Sequence, residues 1–143
     1  MAALADDFRE AITARASEKN LEVRLWQGVT QPSSHFLEIS ATPEPIVIYV
    51  ATDEKKGSWS LAKSHVDHLD ESNVEWAAVL LMGDIDRGWV LTGDEVKRQI
   101  QGKRFRLASK DKTYKILDKD LPENMKFQGF DALLDYLQLN WKL

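Results

Sequence analysis

The chain of 143 residues contains no cysteine. Disulfides, thiolate-held zinc or iron–sulfur clusters and a thiol nucleophile are therefore excluded, and a reducing compartment is compatible with the composition. No apolar run approaches the roughly 18–20 residues that a membrane-spanning helix needs, so no membrane partner is expected. The start, Met1-Ala2-Ala3-Leu4-Ala5-Asp6-Asp7, lacks the basic flank of a secretory signal and leads straight into an acidic helical pattern. A cytoplasmic protein is the expectation. G-x-S-x-G, P-loop and G-x-G-x-x-G patterns are also missing, which leaves hydrolase, nucleotide and dinucleotide readings without support. Repeats, low-complexity tracts and linkers are absent, so one domain over 1–143 is expected.

What is present is ordinary for a globular domain: 43% apolar and 29% charged residues. Leu4, Phe8, Ala11, Ile12 and Ala16 recur at helical spacing and predict a helix over about 3–18. Leu21, Val23 and Leu25 alternate with Glu22, Arg24 and Trp26, the two-residue period of a half-buried strand. Phe36–Ile39 reads as a second strand. The uniformly apolar Ile46–Ala51 reads as a third, covered on both faces. After the charged loop Thr52–Gly57 a helix is expected over Ser60–Glu71, with Ser58 or Ser60 as its cap. Val74–Met82 predicts a buried strand, and Gly83–Gly88 turns the chain into Trp89-Val90-Leu91. Thr92-Gly93-Asp94-Glu95 has the capping-box pattern and opens a helix to about Gln101. Arg104–Leu107 and Thr113–Leu117 read as a hairpin, and Phe130–Leu139 as a terminal amphipathic helix.

Charge is unevenly distributed. The net charge is −4, yet the stretch from Lys97 to Lys119 holds nine basic residues against two acids, Asp111 and Asp118. Lys103, Arg104, Arg106, Lys110, Lys112 and Lys115 could there contact phosphates without reading sequence, with Phe105 and Tyr114 interleaved. The alternative is a solvated hairpin whose lysines protect a sheet edge. The acidic remainder could instead meet a basic protein. His65 and His68 stand three apart on one helical face, with His35 elsewhere. A metal would need a third ligand at a recognisable spacing; otherwise they are a core-edge and a surface imidazole. Of the five tryptophans, four are expected in the core and its rim, whereas Trp59 is placed in a loop as a binding contact.

Helix, three strands, helix, strand, helix is an order that resembles the PD-(D/E)XK nuclease superfamily, the restriction-endonuclease-like fold. The resemblance covers about residues 3–101. Its most specific part joins Gly57-Ser58-Trp59-Ser60-Leu61-Ala62-Lys63, Asn73-Val74-Glu75-Trp76 and Gly88-Trp89-Val90-Leu91, similar to small bacterial nuclease-like domains. It implies a mixed α+β fold with a central mixed sheet of about five strands flanked by helices. A basic hairpin and C-terminal helix would be added over 102–143.

In that superfamily an acid at one strand end and an acid-x-Lys on the next hold a divalent metal, usually Mg²⁺, that activates water. By placement within the third strand the acid falls on Tyr49 and the lysine on Ala51, and neither can do that chemistry. The second strand offers Glu38, and the first helix Asp7 and Glu10. The matching letters lie further on, Pro43-Glu44 followed by Asp53, Glu54, Lys55 and Lys56, in a loop beside Gly57. Three expectations remain open. The first is a degenerate nuclease-like domain, without a cofactor, that binds nucleic acid or a protein partner, as in a bacterial defence system. The second is an active Mg²⁺-dependent nuclease using Glu38, Asp53 or Glu54, and Lys56. The third is an immunity or adaptor module without nucleic-acid affinity.

Overall fold

The computed structural model describes residues 2–40, 45–53 and 55–141. Helix α1 (Ala2–Ser17) leads into strands β1 (Glu22–Leu25), β2 (Phe36–Ser40) and β3 (Ile46–Thr52). A short strand β4 (Ser58–Ala62) passes directly into helix α2 (Lys63–Glu71), followed by β5 (Glu75–Leu81), β6 (Arg87–Thr92) and helix α3 (Gly93–Gln101). The hairpin β7 (Arg106–Ala108) and β8 (Thr113–Leu117), two 3₁₀ turns, strand β9 (Lys126–Gln128) and helix α4 (Phe130–Trp141) complete the chain.

The main sheet has six strands in the order β1-β2-β3-β5-β6-β9, one more than the order of elements implied. The extra member is β9, which pairs antiparallel with β6 through Trp89↔Lys126 and Gly88↔Phe127. Three residues with one inward side chain, Phe127, make no periodic signal, so this strand is invisible before the fold forms. Strands β3 and β5 run parallel, joined by the β4–α2 crossover; the other neighbours in this sheet are antiparallel.

Because side chains alternate across a strand, β3 buries both of its faces. Val47, Tyr49 and Ala51 join a core with α2, α3 and the hairpin, while Ile46, Ile48 and Val50 join a second core with α1 and α4. Each such aliphatic side chain contributes about 1.5–3 kcal/mol, an upper estimate because a real unfolded chain is partly collapsed.

The segment expected to begin a helix at Ser60 is instead a strand. Trp59 and Leu61 point inward and Ser58, Ser60 and Ala62 outward, the alternation of a half-buried strand. Gly57, at φ +78°, turns the chain at this point, with the Ser58 N–H donating to the Lys55 carbonyl at 2.9 Å. β4 then pairs along its length with β8, forming a separate three-stranded sheet in the order β4-β8-β7. Helix α2 consequently starts at Lys63, and Ala62 at its N-cap supplies no side-chain bond. At α3 the expected cap forms: Thr92 Oγ1 accepts the Glu95 N–H at 3.1 Å. The reciprocal half of the box does not, because the Glu95 carboxylate turns to Arg98 and Gln99.

Candidate functional site

The antiparallel register Phe36↔Tyr49 brings the start of β2 to the end of β3, and α2 crosses above that junction. A cleft of about 830 Å³ opens there, lined by both strand ends, the loop before β2 and one face of α2. It gathers all three histidines of the chain. His35 Nδ1 lies 2.8 Å from the Val50 carbonyl, so Nδ1 carries the proton and donates. His68 Nε2 likewise donates to the Gly28 carbonyl, which ties the β1–β2 loop to α2. The Tyr49 hydroxyl accepts the Ala62 N–H at 3.2 Å and lies 3.3 Å from His65 Nδ1. The hydroxyl thereby links the start of α2 at Ala62 to the His65 ring.

Partial burial holds the His65 imidazole below its ordinary pKa, and the nearby imidazoles His35 and His68 push in the same direction. Burial raises the Tyr49 phenol, against the opposing Ala62 N–H bond. Both groups are therefore uncharged near neutral pH. The cleft wall is made of hydroxyl, amide, imidazole and apolar groups, and among the described residues no Asp, Glu, Lys or Arg side chain lines it. A cation stands at the rim, where Lys115 Nζ lies 3.0 Å from Ser60 Oγ and 3.1 Å from Asp111 Oδ2.

The acids considered for catalysis do not meet in this cleft. Glu38 sits on β2 opposite Val47 and is bound by Arg24 at 2.5 Å. Asp53 follows the end of β3, six residues beyond Val47 and so about 20 Å further along the strand direction. Its Oδ1 accepts the Gly83 N–H at 3.2 Å, fixing the turn after β5. Lys56 is exposed in the turn before β4. Pro43, Glu44 and Glu54 lie outside the described residues. Asp7 and Glu10 are exposed on α1, the helix that covers the opposite face of the sheet. Tyr49 and Ala51 occupy the strand positions where the resemblance would set an acid and a lysine, and both are buried. Among the described residues no cluster of three His, Asp or Glu side chains is arranged to hold a metal ion.

Trp59 is corrected from a loop contact to a core residue. It is fully buried on β4, and its Nε1 donates to the Leu81 carbonyl at 2.8 Å, so it offers no surface to a ligand. Phe105 and Tyr114, read as interleaved with the cations, are also buried. The cations themselves are outward. Lys103, Arg104, Arg106, Lys110 and Lys112 are all exposed along the outer strand β7 and its flanking turns. None of the five has an ion-pair partner among the described residues, whereas Lys97, Arg98 and Lys115 do. Lys103 (φ 61°) and Lys112 (φ 55°) both adopt the left-handed conformation, which suits Gly or Asn better than a long side chain. The other described non-glycine residues with positive φ are Asn20 and Asn73.

The cleft itself was not evident beforehand. The spacing of His65 and His68 was visible, but His35 reaches them only through the long-range pairing of β2 with β3.

No family model matches the sequence, and no curated protein does. Among solved structures the chain is similar to Hjc, a Holliday junction resolvase from the archaeal hyperthermophile Archaeoglobus fulgidus. The TM-score is 0.52 at 12% identity, over 87% of this chain and 90% of that one. The chain thus has the restriction-endonuclease-like fold, a mixed α+β architecture with its sheet flanked by helices.

Proposed function

We propose that this nuclease-fold domain has given up the metal-holding centre of its fold and acts by binding nucleic acid through the basic hairpin. The observation that carries this reading is the row of five exposed cations, Lys103 to Lys112, without acidic partners among the described residues. The left-handed backbone belongs to the end of α3 at Lys103 and to the hairpin turn at Lys112, and both positions carry a cation where Gly or Asn would fit more easily. The cost of lysine there is of order 1 kcal/mol at each position, which a phosphate contact would offset. Arg104 and Arg106 would contact phosphates from one end of β7, Lys110 and Lys112 from the other. Tyr49 and Ala51 stand where an acid and a lysine would be needed for metal-assisted hydrolysis, which favours binding over cleavage.

Fluorescence anisotropy with labelled DNA and RNA tests the reading. The Arg104→Ala, Arg106→Ala, Lys110→Ala, Lys112→Ala variant should lose salt-sensitive binding, and its far-UV circular dichroism should not change because all four side chains are exposed. On single strands the slope of log K against log salt should fall by about 0.7 for each phosphate that the variant no longer neutralises. Wild-type affinity in the quadruple variant would remove the hairpin from the function. No affinity in the wild-type protein at low salt, with co-purification of a specific basic protein, would favour a protein-binding role instead.

A further inference from the structure

We infer that the cleft among His35, His65 and His68 is a pocket for one unpaired nucleotide of a single strand held on the hairpin, with base and sugar inside and phosphate at Lys115. This rests on the reading that the hairpin binds nucleic acid, and extends it to a form of nucleic acid and to a second site.

Continuity places the two surfaces on one path. In the small sheet Arg106 stands opposite Lys115, and Lys115 opposite Ser60, so the three lie in a row across its outer face. Ser60 is at once the hydrogen-bond partner of Lys115 and part of the cleft wall. A strand whose phosphates follow Arg106 and Lys115 therefore arrives at the cleft mouth.

The chemistry of the wall decides what enters. A phosphate inside would lose its hydration without meeting a cation, since none of the described charged side chains lines the cleft. A base carries no charge and has a polar edge. The hydroxyl of Ser64 can donate or accept, and so matches either kind of edge group. The His65 imidazole offers an aromatic surface, and its ring is fixed by edge-on packing against Phe36 at 4.9 Å and Tyr49 at 5.6 Å between centroids. Stacking on such a ring is available to every base, and to single strands in preference to a closed duplex. The neutral state of His65 near pH 7 agrees with a base as the occupant.

The chain has three histidines and all line the cleft, so the three imidazole Hε1 signals in a proton NMR spectrum report on this one place. The expected result is that a short single strand, of DNA or of RNA, shifts at least the His65 signal, whereas the same sequence closed as a blunt duplex does not. Comparing the two single strands shows whether the sugar 2′-hydroxyl is read. A second measurement uses His65→Ala, a change on α2 that removes the stacking ring from the cleft. It should weaken single-strand binding about tenfold or more and leave duplex binding as in the wild type. If single strands bind the wild type but move no histidine signal and bind His65→Ala equally well, the pocket is wrong and the hairpin reading stands. If the wild type binds neither form, both fail.

Discussion

One hydroxyl group does two jobs at Tyr49: it accepts the Ala62 N–H and orients His65. Tyr49→Phe should lower unfolding stability by about 1 kcal/mol, since a partly buried N–H loses its partner, with urea denaturation as the readout. An unchanged midpoint would mean that water replaces the hydroxyl at no cost. His65 adds a pH dependence whose sign is fixed. Its folded pKa lies below the ordinary imidazole value, so the unfolded chain binds more protons there. Stability from this group is complete above about pH 6.5 and is lost as the pH falls from there through the folded value. Thermal unfolding of wild type and His65→Gln between pH 7 and pH 5 should show a shallower decline in the variant. At Lys112 the backbone predicts opposite effects on stability and binding. Lys112→Asn should match or slightly exceed wild-type stability, because Asn tolerates left-handed backbone, while nucleic-acid affinity falls. A loss of stability in that variant would show that the lysine is not strained.

At the level of elements, β4 is the joint between the two sheets. Its Trp59 is anchored in the main sheet through Leu81, while its backbone pairs with β8. Trp59→Ala should cost about 3–5 kcal/mol, because the apolar burial disappears and a cavity is left behind. Trp59→Phe keeps most of the ring but removes the donor to the Leu81 carbonyl, a smaller loss of about 1 kcal/mol by the same denaturation assay. The order of helices and strands was readable because α1 and β1 carry a period in their apolar residues, while β3 and β5 hold uninterrupted apolar runs of strand length. β4 was not, although Ser58-Trp59-Ser60-Leu61-Ala62 alternates correctly. Leu61 also fits the helical series His65, Val66 and Leu69, and the nearby serines resemble caps, so two periods overlap on the same residues. The cations of the hairpin were visible as a charge run. Their freedom from acidic partners was not, nor was the cleft, because both depend on which distant side chains the register brings together.

Across the whole molecule, charge and architecture divide along the same line. The chain is acidic overall, with its basic excess confined to 97–119. Cations of the hairpin that neutralise phosphates release condensed counterions, so binding should be steeply salt-dependent, with affinity falling by orders of magnitude between low and physiological ionic strength. A flat salt profile would argue that phosphates are not bound. The cleft and hairpin both belong to the α2 and α3 side of the main sheet. Helices α1 and α4 lie together on the reverse side, clamped by Arg15 Nε and Nη2 on the two carboxylate oxygens of Asp131 at 2.7 and 2.6 Å. The start of α1 reaches Ser34, next to His35, through Asp6, whereas α4 belongs to the rear wall, so a tether or dye fused to α4 would lie across the sheet from the histidines. A sensor chip loaded through such a handle would present the open groove to whatever flows past.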